Sequence, residues 1–346
     1  MNLNKKIAIA VGISGMDCEA IAHLLLSKNY TVIGTYRKNT QLNLENLVNG
    51  YSKDADLHLK FCDITDFNSV RNLIEETLKE FGKIDEIYLL AAQSHVGISF
   101  QSAESTVLTN GNSAYNFLEN IRLLTNKTRI YCAGTSELLG GDPDKCPFTE
   151  DSEYDCRSPY SIGKELLTRW VKYYVQAYGL FATYGVLFNH SNTSRGKQFY
   201  IRRVTNYAAR IALGKEKEIT LGELNFWRDE HWSDFGVEMM WKMLQLEKPE
   251  TFLICRGACF HGEQFLDEAF NYFDLDWRKY VKFDKEKIRP NEVKKLVGIP
   301  KKAIEKLGWR PDRMSFKDHI ALMAKFDYDL ESGLNPKRPN VFELYP

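Results

Sequence analysis

Two short segments of this 346-residue chain carry groups that can move protons, at a spacing that lets them cooperate. Tyr160 and Lys164, in PYSIGKE, are four residues apart, so on a helix they project from one face. A phenol titrating near about 10 is a poor base at neutral pH. An ammonium one turn away, with any further positive charge nearby, stabilises the phenolate and brings it into working range. Thr135 and Glu137, in GTSEL, add a hydroxyl and a carboxylate to the groups available for acid–base work. Tyrosine and lysine one turn apart are usually only a surface pair. Here they follow an apolar run and the Thr-Ser-Glu segment, and the chain opens with a glycine turn.

Groups of this kind need a rigid frame. Apolar runs at Lys6–Val11, Tyr30–Tyr36, His58–Cys62, Ile87–Ala92 and Arg129–Ala133 predict strands. Helical spacing fills residues 17–28, 67–81 and 101–124, with Val70, Leu73, Ile74 and Leu78 on one face of the second. Strands separated by helices imply an α/β fold with a doubly wound parallel sheet of Rossmann type. Beyond about residue 190 the pattern is less regular. Short strands (218–221, 251–255) and helices (199–213, 261–273, 300–307, 315–330) alternate with Trp- and Arg-rich loops. The expected organisation is a dinucleotide-binding domain over 1–190, including the Tyr/Lys helix. A smaller mixed α/β substrate-binding cap would occupy 191–346, with some segments returning to the sheet.

The turn after the first strand reads Gly12-Ile13-Ser14-Gly15-Met16-Asp17-Cys18. Its glycines let the backbone turn sharply beside a pyrophosphate at the positive end of the next helix. Cys18 stands where a third glycine is usual. The second strand ends in Thr35-Tyr36-Arg37-Lys38, two cations and no carboxylate, which favours the 2′-phosphate of NADP over NAD. Asp63 after the third strand could meet the adenine, and the small residues of Ala91-Ala92-Gln93-Ser94 would let a cofactor lie against the chain.

Together these residues resemble the extended short-chain dehydrogenase/reductases. More closely, GISGMD, AAQSHVGISF, TSEL, RSPYSIGKE, LFNHSNTSRG and RPNEV resemble, in order over about residues 8–310, the corresponding pieces of the GDP-mannose 4,6-dehydratase family. The resemblance implies a lyase that turns a GDP-sugar into its 4-keto-6-deoxy product and regenerates its cofactor within each turnover. Tyr160 would take the C4 hydroxyl proton as hydride leaves C4. Lys164 would hold the nicotinamide ribose, Thr135 would bond the C4 oxygen, and Glu137 would take the C5 proton before water leaves C6. The cofactor set it implies is Gly12, Gly15, Met16, Asp17, Arg37, Asp63, Ile64, Leu90, Ala92, Ser94, Tyr160, Lys164, Leu187, Asn189, His190 and Arg195. The substrate set is Ser94, Thr135, Asn189, Arg203, Arg228, Arg289 and Glu292, and Arg195 also resembles a diphosphate contact. Guanidinium suits such sites because it is planar and bidentate toward phosphate.

Around this core the sequence departs from the family. Ser194 replaces an arginine, RKNTQLN replaces a longer loop that joins subunits in the tetramer, and RDEHWSDF loses the Trp-Gly after Arg228-Asp229. Intact chemistry behind altered walls leaves GDP-mannose, a GDP-manno-heptose or another GDP-hexose open as substrate. An epimerase or 4-dehydrogenase of the same fold would leave Glu137 without a role, and a non-catalytic sensor would need none of the four reactive groups. Formal net charge is zero and charged residues make up 27%, so no nucleic-acid partner is expected. Seven scattered cysteines without a CxxC pair point to no metal site and a reducing compartment. The apolar start of MNLNKKIAIAVG is too short to span a membrane. A cytoplasmic homodimer or homotetramer is the expectation.

Overall fold

A computed structural model describes residues 5–37, 51–52, 54–287 and 290–346. Strand β1 (Ile7–Val11) is buried throughout, as its unbroken apolar run requires. It is followed by α1 (Met16–Ser27), β2 (Thr31–Tyr36), β3 (Leu57–Phe61), α2 (Phe67–Phe81) and β4 (Glu86–Leu89). The bounds of α2 are those read from the sequence. Asp66 caps its first turn by accepting from the Asn68 and Ser69 amides, and Gly82 ends it with φ 79°.

The helix expected over 101–124 is not continuous. It runs as α3 (Ala103–Val107), a π turn (Leu108–Asn112) and α4 (Ser113–Leu124). After β5 (Arg129–Ala133) come α5 (Pro159–Tyr178) and β6 (Ala182–Leu187). A seven-stranded sheet has the order β10-β6-β5-β4-β1-β2-β3, where β10 is Phe252–Ile254. The pairs β1–β2, β2–β3, β1–β4, β4–β5 and β5–β6 are all parallel. The order reverses direction between β1 and β4, which makes their carboxyl ends the switch point where doubly wound sheets take ligands.

Further elements are β7 (Asn189–Ser191), α6 (Tyr200–Ala212), β8 (Ile219–Leu221), β9 (Trp227–Trp232), α7 (Ser233–Met243), β11 (Cys259–His261), α8 (Gly262–Asn271), β12 (Val281–Phe283), β13 (Lys295–Leu296), α9 (Lys301–Leu307) and α10 (Phe316–Glu331). The chain forms two compact units, each discontinuous. One comprises Met1–Leu138, Cys156–Leu187 and Val237–Phe252; the other Leu139–Asp155, Phe188–Gly236 and Leu253–Pro346. In the second unit β9 lies between β11 and β13 and also pairs with β7. Its segment Arg228-Asp229-Glu230-His231 reads as a polar loop, yet it forms a buried strand. Partners inside the fold make that possible: Asp229 accepts from the Arg256 and Gly257 amides at 2.6 and 2.8 Å. Packing of α6 on α10 is fixed by Arg202 on Asp327 at 2.8 Å, an ion pair shielded from water.

Among the described residues no helix is long and apolar enough to cross a membrane, and no group of three or more metal-ligating side chains forms. All seven cysteines are free thiols.

Candidate active site

The turn after β1 is shaped for close approach. Gly12 has φ 96°, and a Cβ there would lie 2.8 Å from the Ala91 Cβ at the end of β4. Only glycine fits. The turn is tied to β2 by the Gly12 amide donating to Thr35 Oγ1 at 3.1 Å and the Ile13 amide to the Thr35 carbonyl at 2.9 Å. Gly15 is the N-cap of α1 and contributes no side-chain cap. Met16 is buried and Asp17 half-buried in that first turn, and Cys18 packs inside, where its thiol takes the space of the usual glycine. Arg37 is exposed at the end of β2, whereas Lys38 lies outside the described residues.

Asp63 accepts from Thr65, at 3.0 Å from its amide and 2.7 Å from its hydroxyl. Those bonds, with the nearby Arg37 charge, hold its carboxyl below the usual range. Ile64 is buried, and its carbonyl accepts from Asn116 Nδ2 at 2.9 Å. Leu90 and Ala92 are half-buried after β4, and Ser94 is exposed.

That loop is clamped by a residue that nothing in the sequence reading singles out. Asn110, in the π turn, accepts from the Gln93 amide at 2.9 Å and donates to the Gln93 carbonyl at 3.0 Å. The signal available was Asn110-Gly111, a pair of poor helix formers inside an otherwise helical run. The π turn also packs closely on α5: a Cβ on Gly163 would meet the Asn110 Cβ at 3.1 Å, and one on Gly111 the Leu166 side chain at 2.7 Å.

Helix α5 carries Tyr160 and Lys164. Ser158 caps it, reciprocated by Ser161, and Pro159 occupies the first turn. Tyr160 is 8% exposed and Lys164 3%. Lys164 Nζ donates to the Ala133 carbonyl at the end of β5, 2.7 Å away. Burial lowers its pKa to about 8, partly opposed by Cys132 and Asp17. Thr135 and Glu137 follow β5 directly. Thr135 is buried and its Oγ1 accepts from the Glu137 amide at 3.3 Å, while Glu137, half-buried, opens a 3₁₀ turn over Ser136–Leu139. All four residues sit in the first unit, two in the turn after β5 and two on α5, which Lys164 ties to the end of β5.

Leu187 ends β6, buried. The other expected contacts belong to the second unit. Asn189 and His190 form β7, and His190 Nδ1 bonds the Phe188 carbonyl at 2.7 Å. Arg195 stacks on Phe199 at 3.6 Å, and Arg203 is half-buried on α6. Arg228 and Glu292, far apart in sequence, meet at 2.9 Å. Arg289 lies outside the described residues.

Comparison with known proteins follows this geometry. The sequence model of a family described as GDP-mannose 4,6 dehydratase matches residues 9–323. A GDP-mannose 4,6 dehydratase 2 of Arabidopsis thaliana is 36% identical over 335 residues, spanning 94% of this chain and 88% of that protein. A GDP-mannose 4,6-dehydratase of Vibrio cholerae is 34% identical, over 94% of this chain and 95% of its own. Among solved structures, the dTDP-glucose 4,6-dehydratase DesIV of Streptomyces venezuelae, with NAD and TYD bound, superposes with a TM-score of 0.81 at 20% identity, covering 96% of this chain and 100% of that one. RMD from Pseudomonas aeruginosa, complexed with NADPH, gives 0.75 at 15% identity, covering 94% of this chain and 100% of that one. At such identities the structures speak for the fold.

Proposed function

The chain belongs to the GDP-mannose 4,6-dehydratase family, and from that premise we propose that it removes water from a GDP-linked hexose, GDP-mannose before others, with a nicotinamide cofactor retained through the cycle. The observation that carries this reading is the grouping of Thr135, Glu137, Tyr160 and Lys164 at the end of β5 and the start of α5, in the unit that also holds the glycine turn. The turn suits a dinucleotide: the Gly12–Ala91 approach leaves no room for a side chain, and the start of α1 is open to a pyrophosphate. Exposed Arg37 at the end of β2, with no carboxylate beside it in Thr35-Tyr36-Arg37, favours NADP over NAD.

The cofactor would supply one function, accepting a hydride from the sugar and returning it to the same molecule. The protein supplies the rest. Tyr160 Oη would take the C4 hydroxyl proton. The Lys164 ammonium, fixed on the Ala133 carbonyl, would stabilise that phenolate and bond the cofactor ribose. Thr135 Oγ1, already accepting from the Glu137 amide, would donate a hydrogen bond to the C4 oxygen. A 4-keto group acidifies the C5 proton; the Glu137 carboxylate would remove it as hydroxide leaves C6 and return a proton to that leaving group. Asn189, Arg195, Arg203 and Arg228 would engage the diphosphate and the guanine nucleotide, and Glu292 would accept from the guanine or the ribose. Arg289 would join them.

Glu137→Gln separates oxidation from dehydration. The variant should lose water elimination by at least about 100-fold, while C4 oxidation persists and reduced cofactor accumulates with GDP-mannose. Dehydration at the wild-type rate would remove Glu137 from the mechanism.

We read the assembly as a homodimer. Tyr115, Leu123, Ile162, Tyr173 and Tyr178 of α4 and α5 are exposed, and the rings of Tyr115 and Tyr173 lie 5.3 and 6.2 Å from that of Trp170, with Tyr178 5.7 Å from Tyr173. Patches of this kind usually mark an interface, and a second copy of the same helix pair offers a self-complementary partner.

A further inference from the structure

The turn that follows β7 carries Arg195 and is closed by two bonds. The Arg195 amide donates to the Asn192 carbonyl at 3.0 Å, and the Ser194 amide to Asn192 Oδ1 at 2.8 Å. Asn192 is fully buried, and the other end of its side-chain amide is committed as well: Nδ2 donates to Asp234 Oδ2 at 3.0 Å. With both ends of one planar group held, the Asn192 amide, and the turn that hangs on it, follow the position of Asp234. Asp234 is 8% exposed, in the first turn of α7, and its second oxygen accepts from Arg338 Nη2 at 2.6 Å.

Arg338 belongs to the C-terminal segment, which is docked by contacts of its own. Val341 is fully buried, and the Phe342 ring meets that of Phe235 edge to face at 5.7 Å. The Arg313 guanidinium lies 4.6 Å from the Phe235 ring and 5.1 Å from the Phe342 ring, and its Nε donates to the Tyr345 carbonyl. Phe235 follows Asp234 directly, so the aromatic contact and the ion pair act on the same helix start. All of these residues lie in the second unit. Ser194 and the segment RDEHWSDF are two of the places where the sequence departs from its family, and this chain of bonds joins them. A carboxylate so little exposed is held in place by its cation. Without the guanidinium it must turn toward water or lean on Asn192 differently, and either shift moves the amide that closes the turn.

We propose that Arg338 is a positioning residue for the nucleotide sugar: through Asp234 and Asn192 the C-terminal segment sets the Asn192–Arg195 turn, and with it the point from which the Arg195 guanidinium reaches the diphosphate. This rests on the reading of Arg195 as a diphosphate contact. The role of Arg338 is exerted through Arg195, not on the reacting atoms.

The test uses full-length wild type, Arg338→Met, Arg195→Gln and the double variant. Methionine keeps much of the apolar stem and removes the guanidinium. Calorimetric titration with GDP should show Arg338→Met binding about fivefold more weakly, with KM for GDP-mannose raised to match and kcat within about twofold. In the Arg195→Gln background the same change should add less than about twofold, because the turn then has no guanidinium to aim. A purely structural Arg338 would lower the melting temperature and leave GDP affinity and KM unchanged; that result, or additive effects in the double variant, would overturn the proposal. Should Arg338→Met not fold, Asp234→Asn decides, since it keeps the shape and removes the charge that Arg338 answers: GDP binding weakened about threefold supports the proposal, and unchanged binding refutes it. A wild type that ignores GDP but binds another nucleotide removes the functional reading and this inference together. A wild type that binds GDP, beside an Arg338→Met variant that binds it equally well, removes this inference alone.

Discussion

Burial holds the Lys164 ammonium to a pKa of about 8, from an ordinary 10.5, so its charge is poised rather than permanent. Only the protonated form offers Tyr160 a positive neighbour while it donates to the Ala133 carbonyl. A lowered pKa on a base means the proton is lost as pH rises through about 8. The kcat/KM profile for GDP-mannose should therefore bend downward near pH 8, and a profile flat to well above that would show that Lys164 keeps its proton or is not needed. Tyr160 and Lys164 stand out as candidates in the sequence because one helical turn separates them, and Thr135 and Glu137 because they follow the strand run just before. Arg228 with Glu292, 64 residues apart and joined at 2.9 Å, shows the opposite case: neither residue predicts its partner without the β9–β13 pairing. The burial of Glu230 was invisible for a related reason, since a glutamate between an aspartate and a histidine reads as solvated until β9 is known to be interior.

Helix α5 is what turns a Tyr–Lys spacing into a site, and its start is held by the Ser158–Ser161 capping box. Tyr160 lies in that first turn. Ser158→Ala should cost about 1 kcal/mol in stability, read as a lower urea midpoint, with Ser158→Asp close to wild type because aspartate is an equally good cap. Equal midpoints for wild type and Ser158→Ala would mean the cap is not what holds this helix end. Several elements were readable because local signals agree with the fold. Asp66 and Gly82 bound α2 where the sequence predicts, and β5 has its expected ends. The π turn was not readable. One extra residue per turn is imposed there by packing against Gly163 and by the Asn110 clamp on Gln93, contacts that periodicity cannot encode. Strand β9 escaped because its charges break the apolar pattern and are compensated by residues distant in sequence, among them the Arg256 and Gly257 amides.

At the scale of the molecule, the sheet order places the glycine turn and the loop after β4 at the one reversal in strand order, and β5 and α5 beside it. That arrangement is common to many chemistries; membership of the GDP-mannose 4,6-dehydratase family is what narrows it, with the four side chains in the roles proposed above. The α4–α5 surface bears on assembly. Tyr173→Glu, placed where Tyr173 is 47% exposed, should convert a dimer to a monomer by light scattering with chromatography. A monomeric wild type, or an unaltered dimer in the variant, would remove that surface as the interface. The central claim is best tested by the mass spectrum of GDP-mannose after incubation with the purified protein and NADP⁺ in less than equimolar amount. The account predicts a product lighter by one water, formed over many turnovers with no net reduction of the cofactor. An unchanged sugar nucleotide, or an oxidised product formed in step with reduced cofactor, would contradict it.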